Sequence, residues 1–255
     1  MRYPMVLDAI AAGKHLLVQK PHAVRADHVL EFASAADAAG VTLQFCYFMR
    51  HFPLNRALRE RIRAGAIGEP YHGRGFLKYN TRPAPEGITR WLQIYGQKGG
   101  VLAQHASHEF NLAWSWLGCP EPAWAHAAKH VVNPVYDGPE GPAEDYLSCL
   151  VGFKSGQTLQ IDCSRWLHAD LPTTVEIFGT EGAISHREIT RLTDGSYERE
   201  TVDADPDFPH SGNMGLYFYH EIEHFAHAIS GLSLIHISEP TRPRLRSYAV
   251  FCLKK

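Results

Sequence analysis

The segment Ala12–Pro21 reads AGKHLLVQKP, and it decides how the first part of the chain is organised. Its centre, His15–Gln19, is an apolar run of strand length, opened after Gly13 and closed by Lys20-Pro21, where a proline cannot continue a ladder. Upstream, Val6, Ala9 and Ile10 fall at helical spacing and Gly13 stops the pattern. Downstream, Val29, Leu30, Phe32, Ala33 and Ala36 form a second helical stripe ending at Gly40, and VTLQFCY (Val41–Tyr47) is a second strand. Helix, strand, helix, strand with short links predicts parallel strands joined by crossover helices. A third helix runs from Pro53 through Leu54, Ala57, Leu58 and Ile62 to Gly65.

Beyond Gly68 the texture changes. YHGRGFLKYN, PAWAHAAKHVV, DYLSCLVGF, QTLQIDCSRW, TTVEIFG and GAISH are strand-length segments separated by Gly and Pro, the spacing of a mostly antiparallel sheet. Helices interrupt it around Gly100–Leu117 and Met214–Ser230, and Asn133–Pro142 is a Gly/Pro-rich loop. The fold class read from this order is α/β followed by α+β, the second part an open sheet with helices.

With 255 residues, 45% hydrophobic and 20% charged, the chain has enough apolar material for a buried core. A formal charge of −2 removes the electrostatic argument for a nucleic-acid partner or a polybasic membrane surface. No apolar run reaches the ~18 residues of a membrane span, and the first residues lack a signal-peptide layout, so the chain reads as soluble and, by default, cytoplasmic. Cys46, Cys119, Cys149, Cys163 and Cys252 are irregularly spaced with no Cys-x-x-Cys pair, which points to reduced packing residues. From Leu232 the sequence LSLIHISEPTR resembles the translation of a transposase-type sequencing adapter, and residues 232–255 are read as foreign to the fold. That segment holds five of the 25 bases and one of the 27 acids, so residues 1–231 carry a formal charge of −6.

Two places suit chemistry. Gln104, His108 and Asn111 are spaced by four and three residues, a polar stripe on an otherwise apolar helix that opens after Gly99-Gly100. A histidine there suits a general base, since imidazole titrates near neutral pH. Lys20 ends the first strand, where ligands of open α/β sheets bind, and an ammonium there can donate to a ligand oxygen.

Five collinear segments resemble the glucose-fructose oxidoreductase, inositol dehydrogenase and MocA-like oxidoreductases. AGKHLLVQKP is similar to their AGKHVLxEKP and GGVLAQHASHEFN (Gly99–Asn111) to their GGxLxDxGxHxxD; FCYFMRHFP with GAIGEP, VEIFGTEG (Val175–Gly182) and YFYHEIEHFAHAISG (Tyr217–Gly231) follow the family's order. The resemblance implies residues 1–48 as the C-terminal part of a Rossmann domain binding NAD or NADP. It implies residues 49–231 as a substrate domain whose sheet also supports a homo-oligomer. The implied reaction passes hydride between the nicotinamide and a carbinol carbon of a sugar, cyclitol or similar polyol. Carried over, Lys20 and His108 are the catalytic pair. Gln104, Asn111 and Arg90 meet the substrate, and Gln19, Lys20, Pro21 and Arg50 meet the cofactor.

The chain departs from the pattern at four positions. Gln104 and Asn111 stand where the family has Asp, Gln19 where it has Glu, and Ala106 where it has Gly, so no carboxylate from this stripe backs His108. No G-x-G-x-x-G occurs, and the family places it before the segment matched by residues 5–21. The expectation is a piece of the parent enzyme, inactive by itself and poorly folding because its partial sheet leaves an open edge.

Three other readings stand beside this one. His220-Glu221-Ile222-Glu223-His224 is a literal H-E-x-x-H, able on a helix to hold zinc with Glu221 as base. Its third ligand is missing, and Tyr217, Ile222, Phe225 and Ile229 suggest an amphipathic packing helix instead. A non-catalytic sugar-binding or oligomerisation module is the second. The third is a redox-assisted, NAD-dependent glycosidase of the same family.

Overall fold

The computed structural model describes residues 2–23, 25–78, 94, 99–132, 141–165, 167–204 and 214–231. Arg90, Trp166, Cys252 and all of residues 232–255 therefore lie outside the described residues, as does most of the Asn133–Pro142 loop. The chain forms two compact units, one of Met1–Phe48 with the chain from Asn213 onward, the other of Met49–Gly212.

In the first unit α1 (Arg2–Ala11), β1 (Leu16–Val18), α2 (Ala26–Ala39) and β2 (Leu43–Phe45) follow the alternation read from the sequence. The two strands pair in parallel, with Leu16 opposite Leu43 and Val18 opposite Phe45. Val6 and Ile10 of α1, Phe32 and Ala36 of α2, Val18 and Leu43 form the buried core, so the helical stripes meet the strands they connect. The closing helix, Met214–Ile229, clusters with this unit, whereas the sequence reading grouped it with the second domain. Its buried Glu221 is the reason: the carboxylate takes the backbone N–H of Tyr47, just past β2, and Gln44 Nε2 donates to the Glu221 carbonyl at 3.3 Å. Of the apolar stripe expected on this helix, Ile222 and Ile229 face outward, 53% and 38% exposed, while Phe225 is half-buried. Glu221 occupies the inner face instead, where its carboxylate accepts from the Tyr47 N–H just past the strand.

The second unit opens with α3 (Pro53–Arg63) and builds one eight-stranded sheet. Its strands are β3 (Pro70–Lys78), β4 (Pro122–His130), β5 (Tyr146–Phe153), β6 (Thr158–Ser164), β7 (Thr174–Gly179), β8 (Ala183–Ser185), β9 (Glu188–Thr193) and β10 (Ser196–Thr201). Their order is β10-β9-β8-β7-β3-β6-β5-β4, antiparallel throughout except for the parallel pair β3–β6. The open, mostly antiparallel sheet is thus as read. The last hairpin was not read, although it carries a signal: Asp194 and Gly195 both have positive φ, 50° and 80°, the requirement of a two-residue type I′ turn that Asp-Gly satisfies.

Two of the short segments quoted above form one lock. In GAIGEP and VEIFGTEG, Glu181 N–H donates to Ile67 O at 2.9 Å, Thr180 N–H to Glu69 O at 3.1 Å, and Glu69 N–H to Thr180 Oγ1 at 3.0 Å. A Cβ on Gly179 would sit 2.1 Å from Ile67 O, so only glycine lets the two backbones meet. Among the described residues no helix is long and apolar enough to cross a membrane.

This close approach yields a test. Gly179→Ala should destabilise the second unit by about 3 kcal/mol, because backbone rather than a movable side chain blocks the methyl. Urea denaturation followed by tryptophan fluorescence measures it, and a loss below about 1 kcal/mol would show that the contact relaxes.

Candidate functional site

The second unit's site is built from the glycine pair upward. Gly99 and Gly100 are buried, and from Val101 the chain enters a π turn, Leu102–Ala106, continued by α4 (Ser107–Trp116). The sequence spacing assumed an uninterrupted α-helix from Gly100; the wider π turn takes Gln104 out of that register, a distortion common at functional sites. Gln104, His108 and Asn111 are nonetheless all buried, with 6%, 7% and 1% of their surface exposed. Asn111 Oδ1 has no hydrogen-bond partner among the described residues. At its far end the helix is tied down by its indoles: Trp114 Nε1 donates to Pro120 O at 2.9 Å and Trp116 Nε1 to Asn55 O at 3.1 Å.

Around the first turn lies a charged set that the sequence reading missed. Glu109, Glu144, Asp145 and Arg165 are all buried. Val101 N–H donates to Glu144 O at 3.0 Å and Leu102 N–H to Glu144 Oε1 at 3.3 Å. Burial raises the Glu144 carboxyl's pKa, opposed by its own N–H, that of Leu102, and the charges of Lys129 and Arg165. Arg165 N–H donates to Asp145 O at 2.8 Å, while Asp145 Oδ1 accepts from Val132 N–H at 2.8 Å. Burial lowers the pKa of the Arg165 guanidinium, and Glu144 and Asp145 counter that. The available signal is positional: Tyr146 pairs with Ser164, so Asp145 and Arg165 flank the same end of β5 and β6, which only the strand register reveals.

In the first unit, Lys20 follows β1 as expected and is half-buried, beside exposed Gln19 and half-buried Pro21. Its backbone N–H donates to Gln19 Oε1 at 2.9 Å. Arg2, unremarked in the sequence, donates to Gln19 O at 2.9 Å and also to Pro21 O, fixing the strand exit from both sides. Arg50 sits in a 3-10 turn, Phe48–His51, and donates to Cys119 Sγ at 3.2 Å within the second unit.

The H-E-x-x-H side chains are engaged locally. His224 Nδ1 lies 2.8 Å from Gln44 Oε1, His220 Nδ1 3.5 Å from Glu223 Oε2, and Glu221 serves Tyr47 N–H. Among the described residues no three His, Cys, Asp or Glu side chains gather as for a metal. The zinc reading thereby loses its base to the strand end. Burial raises Glu221 to about 7, against the Tyr47 N–H and the Cys46 thiol, which pull it down. Cys46 itself is pushed up to about 12 by burial and by Glu221, and Cys149 to about 11 by burial and Asp162, so these thiols stay protonated.

Residues 55–185 match the family model described as GFO/IDH/MocA C-terminal domain. The chain is 34% identical over 185 residues to 1,5-anhydro-D-fructose reductase of Ensifer adhaerens, an alignment covering 72% of this chain and 53% of the relative. It is 25% identical over 230 residues to scyllo-inositol 2-dehydrogenase (NAD(+)) of Bacillus subtilis (strain 168), covering 88% and 63%. The chain thus spans between about half and two thirds of these relatives' lengths. Among solved structures it resembles levoglucosan dehydrogenase in complex with NADH and levoglucosan, with TM-score 0.79 at 20% identity, covering 98% of this chain and 73% of that one. An NAD binding oxidoreductase from Klebsiella pneumoniae gives TM-score 0.74 at 24% identity, covering 99% and 74%.

The buried Glu221 makes the first unit pH-sensitive. Its folded pKa of about 7 lies above the ordinary 4.5, so folding favours the protonated form. Its stabilising contribution is full below about pH 4.5 and is lost as pH rises through about 7, by about 3 kcal/mol at most. Hydrogen exchange at the Tyr47 amide, corrected for intrinsic rate, should lose protection between pH 5 and 8. Glu221→Gln should flatten that profile; a variant profile as steep as the wild type would contradict the assignment.

Proposed function

The chain belongs to the GFO/IDH/MocA family, and from that premise we propose that its parent protein transfers hydride between NAD or NADP and a carbinol carbon of a polyhydroxylated small molecule, a sugar or cyclitol. The observation that carries this reading is the buried polar set of Gln104, His108 and Asn111 on one glycine-opened helix. Burying such a group costs stability unless it meets a ligand or partner, and Asn111 Oδ1 is an acceptor ready for a hydroxyl donor. The names of the relatives, an anhydrofructose reductase and an inositol dehydrogenase, point to the same substrate class.

The residues present suit one end of the cofactor only. The half-buried Lys20 at the exit of a parallel strand, with the Gln19 and Pro21 carbonyls fixed by Arg2, suits the nicotinamide end. The pyrophosphate has no glycine cradle in these 255 residues. A bound nicotinamide supplies the hydride acceptor or donor. Lys20 donates a hydrogen bond to the reacting hydroxyl oxygen and favours its negative charge. His108 takes the hydroxyl proton at a ring nitrogen in the oxidative direction and returns it in the reductive one. Gln104 and Asn111 orient neighbouring hydroxyls without exchanging protons.

The parent protein is further proposed to be cytoplasmic and to assemble as a homo-oligomer through its open sheet. β4 is exposed along nearly its whole length and includes an exposed Trp124, a surface that suits a second copy.

The full-length protein, supplied with NAD or NADP and a panel of cyclitols and sugars, should reduce the nicotinamide at 340 nm. This 255-residue chain alone should not. In the full-length protein Lys20→Ala and His108→Asn should each lower kcat by about 10²- to 10⁴-fold. Nicotinamide turnover that survives both changes, or robust turnover by the 255-residue chain, would contradict the proposal. Glycoside cleavage without net nicotinamide reduction would instead support the redox-assisted glycosidase.

A further inference from the structure

The helix carrying His108 begins without a cap from its own neighbourhood. Val101 makes no side-chain cap bond, and Gly99 and Gly100 have no side chains to offer. The cap comes from 42 residues further along, where Glu144 offers its carbonyl to Val101 N–H and its carboxylate to Leu102 N–H. Room for it depends on Gly100, whose φ is +104° and where a Cβ would lie 2.3 Å from Glu144 Oε1. Leu102 is the first residue of the π turn, so the bond from its N–H to Glu144 sits where the widened turn starts. The widened turn is therefore pinned at its start, and the pin is Glu144.

We propose that Glu144 is the positioning residue of this site, clamping the first turn so that Gln104, His108 and Asn111 are held in place for the reaction. The inference rests on the function proposed above. An acceptor oxygen at this reach suits the task because the first N–H groups of a helix lack intrahelical acceptors. Lys129 and Arg165, the cations that act on it, offset the burial of its charge. The family's Asp positions on the stripe are Gln104 and Asn111 here, so the nearest ionisable acid shown bonded to the helix start comes from another element.

Two conservative variants of the full-length protein, without nicotinamide or polyol, test the role by NMR. Glu144→Asp keeps the charge but shortens the reach by one methylene; Glu144→Gln keeps the reach and an acceptor oxygen. Glu144→Asp should speed hydrogen exchange at the Leu102 amide by about tenfold and shift the His108 Cε1 resonance, with the sheet amides of Val151 and Leu159 unchanged. Glu144→Gln should restore both readouts close to wild type. The proposal is overturned if Glu144→Asp leaves Leu102 and His108 as in the wild type. It is equally overturned if Val151 and Leu159 lose protection by the same factor, since Glu144 then supports the fold at large. Neither readout needs nicotinamide or polyol, so a full-length protein without oxidoreductase activity would defeat the functional reading and leave this result standing.

Discussion

A carboxylate seated on a glycine decides what the second unit can present. Glu144 reaches the first turn of the helix from the start of β5, and Gly100 alone leaves it the space. The contact sits at the start of the π turn over Leu102–Ala106, which leads into the helix on which Gln104, His108 and Asn111 are buried. The indole bonds of Trp114 and Trp116 fix the other end.

The first unit uses the same device at a strand end. Glu221, from the closing helix, takes the Tyr47 N–H beyond β2, and Gln44 ties the helix backbone and His224 to the same strand. In both units an acid distant in sequence satisfies backbone N–H groups that secondary structure leaves open. Each acid is raised in pKa by its burial, so desolvation outweighs the local N–H groups in both. At the exit of β1, Arg2 does the complementary work on the carbonyls of Gln19 and Pro21.

Much of this architecture was legible because it is periodic. Val6, Ile10, Phe32 and Ala36 show their helical spacing directly, and they are core residues. The GAIGEP and VEIFGTEG segments were visible as separate signals, but that they lock together at Ile67 and Gly179 needed the β3–β7 register. Asp194-Gly195 was a readable hairpin turn that went unread. Glu144, Asp145 and Arg165 were not legible, since a charged residue at a strand boundary looks solvated until pairing buries it. The closing helix misled for the same reason: Ile222 and Ile229 looked like the inner face, and the inner face holds Glu221. At the site, Gln104, His108 and Asn111 were visible as a polar stripe on an apolar helix, and it is the structure that buries them, while the π turn that alters their spacing has no one-dimensional signature.

The central claim is the proposal that the full-length parent protein passes a hydride to or from a carbinol carbon. Isotope transfer measures it most directly. The full-length protein, given NAD or NADP and a polyol deuterated at its carbinol carbons, is predicted to place one deuterium at C4 of the reduced nicotinamide. Product formed with no deuterium on the nicotinamide would contradict the account.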